Sequence, residues 1–463
     1  MDKDSAVRDL KAARPENAPG SLPRILGFWD VVGIVIGGVI GSGIFIVPAA
    51  VAAGVQYPLL ILAVWVVGGI LCFFGALTFA ELGTAFPGAG GMYIYLREAY
   101  GPLIAFLFGW TLFLVIDSGS IATLAVAFST KYLPYFLPVN PWMSKVIAVA
   151  FVAFLASVNY LGAKWGAYLQ ILLTVIKFGA ILAVCVIVLG FAKGNTENFV
   201  TPAPPAFSWD LLTRMGIALV ATFWAYKGWE MTTFSVGELK NPARNLPSGL
   251  FISMGSVIFL YILANIAYLY AFPASAIAKS SRIASDAMDM AVGPVGGAII
   301  ALTILFSMTG AANANMLCST RVFFAMAADG LFFKRIADVH PRFLTPHVSI
   351  VALGFWAVVL SLSGTFEQLF NYVVFGQWIF FGLTAAAVII LRKKRPNISR
   401  PYKTWGYPIT PLIFIFSAFL ISVNSLINQF WNSFAGLAII LLGVPAFLYW
   451  RRKRDRESVT GSI

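Results

Sequence analysis

Apolar residues are gathered into twelve blocks of roughly 20 residues, separated by short polar loops. They run Phe28 to Ala50, Pro58 to Leu82, Leu103 to Phe128, Val146 to Leu161, Tyr168 to Leu189, Gly216 to Val236, Leu250 to Ala271, Val295 to Cys318, Val348 to Leu362, Leu369 to Leu391, Leu412 to Ile427 and Phe434 to Trp450. Each block predicts a membrane-crossing helix, because about 20 residues at a rise of about 1.5 Å span a hydrocarbon core about 30 Å thick. Two blocks break the pattern. The first carries Gly37-Gly38-Val39-Ile40-Gly41-Ser42-Gly43 at mid-depth, and the sixth carries Trp224-Ala225-Tyr226-Lys227-Gly228-Trp229-Glu230. Glycine costs about 0.8–1.0 kcal/mol in a helix interior relative to alanine. Backbone that it frees in hydrocarbon is tolerated only where it is buried in protein or lines a cavity. Interrupted spans at corresponding positions of two halves point to a site for a transported substrate.

The expected fold is therefore an all-α polytopic membrane protein with 12 transmembrane helices. Residues 1–23 read as a disordered polar tail, 24–450 as one membrane domain and 451–463 as a basic tail. Within the domain, about 24–192 and 210–392 form two five-span repeats, with two accessory spans in 408–450. An odd number of spans per repeat inverts the second half, which explains why spans one and six are both broken. The loop from Asn195 to Ser208, with Pro202, Pro204 and Pro205, reads as an extended external link.

Composition excludes a soluble protein: 59% of the 463 residues are hydrophobic, 11% are charged, and mean hydropathy is +0.85. The first 23 residues lack an apolar core with a small-residue cleavage site, so the first span is expected to be the insertion signal and to stay. With the N-terminus inside, the inner loops and tails hold 24 lysines and arginines and the outer ones 6, Lys177 and Lys227 lying within spans. That asymmetry places both termini in the cytoplasm. The net charge of +13 is thus a topology signal beside anionic lipid and no indication of nucleic acid. Arg392-Lys393-Lys394-Arg395 and Arg451-Arg452-Lys453-Arg454 read as stop signals. Cys72, Cys185 and Cys318 lie in apolar blocks and make neither a disulfide framework nor a metal spacing. Together with only two histidines, His340 and His347, they give no metal site, and no cofactor is expected.

Several stretches, taken together, resemble the amino acid–polyamine–organocation (APC) superfamily, especially the L-type amino acid transporter branch. They are Gly38-Val39-Ile40-Gly41-Ser42-Gly43-Ile44-Phe45; Glu81-Leu82-Gly83-Thr84 with Pro87, Gly90, Gly91 and Tyr93; Glu238 with Asn241-Pro242 and Arg244-Asn245-Leu246-Pro247; and Ser319-Thr320-Arg321 with Gly330, His340-Pro341 and Thr345-Pro346. The similarity covers most of Leu22 to Ile350. It implies a LeuT-like 5+5 inverted repeat plus two C-terminal helices, and an amino acid substrate held between the broken helices. By that resemblance, N–H groups around Ser42 and Gly43, with the Ser42 hydroxyl, take the carboxylate. Carbonyls near Val39 and Ile40, and near Trp224 and Ala225, take the ammonium, and Gly41 lies between. Helix ends carrying about half an elementary charge make such a site electrostatically workable. Trp224 is expected to gate it.

Lys177 lies mid-span, where translocon scales charge about 2.5–3.5 kcal/mol for lysine. In the resembling transporters a lysine there stands where sodium-coupled relatives bind an ion, bridging the broken first helix and span eight, which implies sodium independence. Asn315, Asn313 and Ser307 are candidate span-eight partners; Asn at 315 departs from expectation. Lys227 and Glu230, three apart, either pair with each other or contact substrate. Asp117 in span three is a further intramembrane acid, in the pocket or in an external vestibule. Arg97, Glu81, Glu238 and Arg321 near the cytoplasmic ends are read as solvated loop charges, with inward-gate ion pairs as the alternative.

The resemblance implies a sodium-independent secondary transporter of amino acids, most simply neutral L-amino acids, exchanging or facilitating in the plasma (inner) membrane. Proton-coupled symport is the nearest rival. An integral-membrane enzyme lacks a catalytic cluster, and a channel lacks a filter repeat. Membrane lipid is the expected surrounding partner, and no accessory subunit is expected because no cysteine or external loop offers a docking site.

Overall fold

A computed structural model describes residues 22–200, 206, 208–363, 366–428 and 430–460. The predicted tail up to residue 21, Pro202, Pro204 and Pro205 of the predicted link, and residues 461–463 lie outside the described residues. Among the described residues eighteen α-helices follow one another: α1 Phe28–Val39, α2 Gly43–Val55, α3 Pro58–Ala85, α4 Met92–Tyr100, α5 Pro102–Thr111, α6 Asp117–Ala127, α7 Pro141–Tyr160, α8 Ala163–Phe191, α9 Trp209–Ala225, α10 Met231–Phe234, α11 Pro242–Ala271, α12 Ala274–Lys279, α13 Ile283–Val292, α14 Val295–Ala328, α15 His347–Ser363, α16 Phe366–Lys394, α17 Ile409–Asn428 and α18 Phe430–Thr460. Among the described residues the only extended pairing is an isolated bridge between Leu26 and Leu239.

Among the described residues nine helical stretches are long and apolar enough to cross a membrane, and ten if α1 and α2, bent by 45° at their junction, count as one span. The other two predicted blocks fold as helices of 17 residues, α9 and α15; α9 stops where the sixth block was expected to break. The helices overrun their apolar blocks. Val295–Ala328 is 34 residues long, because its buried polar end, including Thr320 and Arg321, continues the helix beyond Cys318.

Burial separates centre from rim. The most apolar windows of Pro102–Tyr135 and Val295–Ala328 are 67% buried, against 28% for α7 and 33% for the last two spans. A helix covered on nearly every side presents few faces to lipid, so these two form the middle of the bundle. The stretch from Pro102 to Tyr135 is not uniform: Leu112–Ile116 winds as a π-helical turn directly before Asp117. Such turns shift the register of following side chains and are frequent at functional sites.

Candidate functional site

The first helix ends because its glycines allow another backbone to come too close for any side chain. A Cβ on Gly228 would lie 2.4 Å from the carbonyl carbon of Gly38, and a Cβ on Gly43 would lie 2.8 Å from Ala225 Cα. Gly228 also has φ +124°, a conformation that side chains rarely allow. The two interrupted segments thus meet main chain to main chain. Ile40 is extended (φ −74°, ψ 90°) between α1 and α2, and the chain from Tyr226 to Glu230 turns between α9 and α10. Tyr261 of α11 ties both breaks together, with its buried hydroxyl 3.1 Å from Val39 O and 3.2 Å from Ala225 O.

Freed backbone groups need partners at this depth. In the first break the carbonyls find them in the chain itself. The Lys177 ammonium donates to Gly37 O and, at 2.6 Å, to Ile40 O. Ser307 Oγ reaches Ile40 O at 3.0 Å and Gly41 O at 3.1 Å. In the second break a carboxylate supplies the complement. Glu230 accepts from the Gly228 N–H at 2.9 Å and from Gln377 Nε2 at 2.8 Å. The N–H groups of Ser42 and Gly43, by contrast, donate to no backbone carbonyl among the described residues. Two orphan donors at the start of α2, where the helix dipole is positive, make a place for an anion.

A cavity of about 90 Å³ opens at this point, several times the ~10–15 Å³ that one water needs. Residues of both breaks, Gly38, Val39, Gly41, Ser42, Gly43 and Ala225, form one side; Ser120, Thr123 and Leu124 of α6 with Ala311 and Asn315 of α14 form another. Trp224, Lys227 and Met231 complete the lining. Trp224 and Lys227 are half-buried, while Tyr226, Trp229 and Glu230 of the same segment are fully covered.

The predicted residues divide by place. Val39, Gly41, Ser42, Gly43, Trp224, Ala225, Lys227 and Asn315 line the cavity. Ile40 is fully buried, and its carbonyl oxygen receives both Lys177 and Ser307, which fills its two lone pairs. Among the three candidate partners of Lys177 in span eight, Ser307 shares this oxygen. Asn315 instead donates to Ala311 O at 2.8 Å, and Asn313 joins Asn159, Gln170 and Gly166 O in a separate buried network. Among the described residues no ion pair joins Lys227 to Glu230; the ammonium lies 3.4 Å from Ser120 Oγ. Asp117 is buried, accepts from Ser319 Oγ, and does not line the cavity, whereas Ser120 and Thr123 on the same helix do. Tyr261, Gln377, Ser120 and Thr123 are the residues that sequence reasoning missed; only Gln377, a polar side chain within a predicted apolar span, carried any signal.

At the end of the bundle that carries the basic loops, the solvated reading of four charges needs correction. Arg321 and Glu238 are buried to 1% and 0% exposure and form a two-pronged pair at 2.6 and 3.1 Å. Arg97 meets Asp329 at 2.5 Å, and the Tyr93 hydroxyl reaches the same carboxylate at 2.8 Å. Burial, and then the Asp329 charge, push the Tyr93 phenol well above its ordinary range, so it stays a donor at any physiological pH. Glu81 is held by Arg392 at 2.7 Å. The sequence places these partners up to 311 residues apart, so only folding reveals that they neutralise one another in contact.

The amino acid permease family model matches residues 26–444. The human b(0,+)-type amino acid transporter 1 is 33% identical over 446 residues, covering 94% of this chain and 89% of its own length. The serine/threonine exchanger SteT of Bacillus subtilis (strain 168) is 34% identical over 439 residues, 94% of this chain and 98% of its own. The human cystine/glutamate transporter is 32% identical over 431 residues, 91% and 85% of the two chains. The chain therefore belongs to the amino acid permease family of the APC superfamily, whose work is amino acid transport and not enzyme catalysis.

Proposed function

We propose that this chain is a sodium-independent exchanger or facilitator of neutral L-amino acids, working by alternating access around the paired breaks. The observation that carries the reading is Lys177. Its ammonium, with Ser307, occupies carbonyl oxygens of Gly37, Ile40 and Gly41, the kind of oxygen cluster that a bound alkali cation requires. A resident cation on the chain removes the need for a transported one. The substrate carboxylate is assigned to the Ser42 and Gly43 N–H groups, because the Gly228 N–H already holds Glu230. The ammonium is assigned to the Ala225 carbonyl, which among the described residues accepts only from the Tyr261 hydroxyl at 3.2 Å and keeps a lone pair, whereas Val39 O also accepts from the Gly41 N–H at 2.8 Å. Trp224 closes over the site.

The test is uptake of labelled amino acids into proteoliposomes, with and without internal amino acid, in sodium and in choline. Equal rates in the two salts and acceleration by internal substrate are expected; flux that collapses in choline overturns the reading. Proton-coupled symport is the second reading, favoured by Lys227, which lines the cavity, and by the buried carboxyl groups of Asp117 and Glu230. Accumulation driven by an inside-alkaline gradient, without internal amino acid, selects it.

The same reading includes the twelve-span LeuT-like arrangement in two inverted five-span repeats, a plasma-membrane location and cytoplasmic termini, supported by the matching breaks and the lysine and arginine bias. It also has the chain working without a disulfide-linked accessory subunit, since Cys72, Cys185 and Cys318 are all buried.

A further inference from the structure

The last helix, α18, lies on the rim of the bundle and ends in a basic run, and its two sides treat those charges differently. Gly443, Phe447 and Trp450 face inward: Gly443 sits against Leu107 and Trp110 of α5, Phe447 meets Phe106, and the Trp450 ring stands 4.8 Å from that of Phe333. Arg454 continues this side onto the Gly330 turn. Asp455 lies 3.2 Å from Arg454 and 3.9 Å from Arg451, so one carboxylate serves both arginines.

On the outward side two neighbouring ridges of i, i+4 spacing run Pro445, Tyr449, Lys453 and Leu448, Arg452, Arg456, and these six residues line one recess. Each ridge passes from apolar to cationic within about one turn. Leu448 and Tyr449 are 45% and 61% exposed, and Arg452 and Lys453 are exposed as well. Among the described residues neither Arg452 nor Lys453 takes part in an ion pair; the Lys453 ammonium meets only the Trp450 ring, 5.2 Å from its centre. A stop signal needs charge past the end of a span. It does not need cations gathered on one face, continuing an uncovered apolar strip, with the acid confined to the other face.

An occupant that fits such a face is both amphiphilic and anionic. Acyl chains lie along Pro445, Leu448 and Tyr449, and a phosphate meets Arg452, Lys453 and Arg456. Long cationic side chains suit this place, because they keep their stems on apolar surface and carry the charge to headgroup level. A soluble anion would use the cations and leave the strip uncovered. The first 21 residues of the chain hold four acids and four bases, so they bring no net negative charge to the face.

We propose that this face of α18 is a binding site for an anionic phospholipid of the leaflet that meets the basic loops. Its occupancy steadies the end of α14 as well, because Trp450 packs on Phe332 and Phe333, and Arg454 on Gly330, all in the turn that follows that helix. The site needs the membrane setting of the chain and nothing about its substrate.

Native mass spectrometry and thermal unfolding of the full chain in detergent test this with phosphatidylglycerol, phosphatidylcholine of the same acyl chains, and glycerol phosphate. Phosphatidylglycerol is expected to bind about tenfold or more tightly than phosphatidylcholine and to raise the unfolding midpoint further. In the triple variant Arg452→Gln, Lys453→Gln, Arg456→Gln that preference is expected to vanish, about fivefold being lost with each cation, while the midpoint in detergent alone stays at that of the parent. The triple variant Lys393→Gln, Lys403→Gln, Arg451→Gln removes as many exposed cations away from this face and is expected to keep the preference. Equal binding of the two lipids by the parent overturns the proposal, as does an equal loss in both triple variants. Stabilisation by glycerol phosphate that matches phosphatidylglycerol makes this a site for a soluble anion, and a dimer lost from the first triple variant with lipid binding unchanged makes it a contact between copies; either result also overturns the proposal.

Discussion

Gly38 and Gly228 touch through their main chains: a Cβ on Gly228 would fall 2.4 Å from Gly38 C and 2.5 Å from Gly38 O. The two breaks are therefore one structure. Each exists because the other comes close, and the cavity takes its shape from both.

Replacing Gly228 by alanine forces a side chain into φ +124° and against Gly38 at once. Backbone strain of this kind costs about 1–3 kcal/mol, and the overlap adds about as much again. Gly228→Ala is expected to lower the unfolding midpoint in detergent markedly and to abolish exchange. Gly179, exposed on α8 with nothing within 4 Å of where its Cβ would stand, provides the control. Gly179→Ala is expected to leave exchange unchanged and to hold or raise the unfolding midpoint, because alanine is favoured over glycine in a helix interior by about 0.8–1.0 kcal/mol.

Lys177→Met keeps the volume of the side chain and removes its donors. Gly37 O loses its ammonium partner and Ile40 O keeps only Ser307. A buried carbonyl stripped of its partner costs about 1–3 kcal/mol, so substantial destabilisation and loss of exchange are expected. Ser307→Ala leaves the ammonium on Ile40 O and is expected to cost about 1 kcal/mol. Sodium dependence measured in both variants gives a sharper readout than rate: if removing Lys177 reopens an oxygen cluster, added sodium stabilises Lys177→Met and not the parent.

The positions of the breaks and the buried lysine were legible because each violates a local rule. Gly37 to Gly43 and Lys177 stand where hydrocarbon favours leucine and valine. What the pattern withheld were partners. Lys177 has no signature pointing to Gly37 O, since any backbone has carbonyls. Tyr261 sits in an ordinary aromatic-rich span, and only the folded distance of 3.1 Å to Val39 O sets it apart. Asn315, Asn313 and Ser307 were all open as partners for Lys177; Ser307 shares its carbonyl, while Asn315 lines the cavity from the same helix, two turns away. Two turns of helix separate residues by about 11 Å, and one-dimensional spacing alone did not decide which turn met the lysine. Span ends were hidden for a related reason: α14 runs on past Cys318 because Arg321 and Thr320 find partners inside the protein, where hydropathy sees only polar residues.

Tyr261→Phe tests the bond across the breaks with minimal change of shape. The hydroxyl contributes about 0.5–1.5 kcal/mol, and the Phe variant is expected to fold. Because the lost group ties Val39 O to Ala225 O, the expected effect is on substrate affinity: a several-fold rise in KM, with the maximal rate less affected. A change confined to thermal stability, with KM untouched, makes Tyr261 an ordinary core residue.

The buried pair of Arg321 and Glu238 behaves differently from its surface-charge appearance in the sequence. Both side chains are fully covered, so removing one leaves the other charged and unpaired, a loss of about 3–5 kcal/mol. Arg321→Met and Glu238→Gln are each expected to unfold at much lower temperature than the parent. The double variant removes both charges together and is expected to recover part of that loss. Arg321 has further bonds to Leu317 O and to Thr320 Oγ1 at 3.0 Å, both within its own helix. Their loss affects the Arg321 variant alone, so Glu238→Gln is expected to be the milder single change. A double variant as unstable as the sum of the two singles means that the contact carries no coupling, and the ion pair then plays no part in closing this end of the bundle.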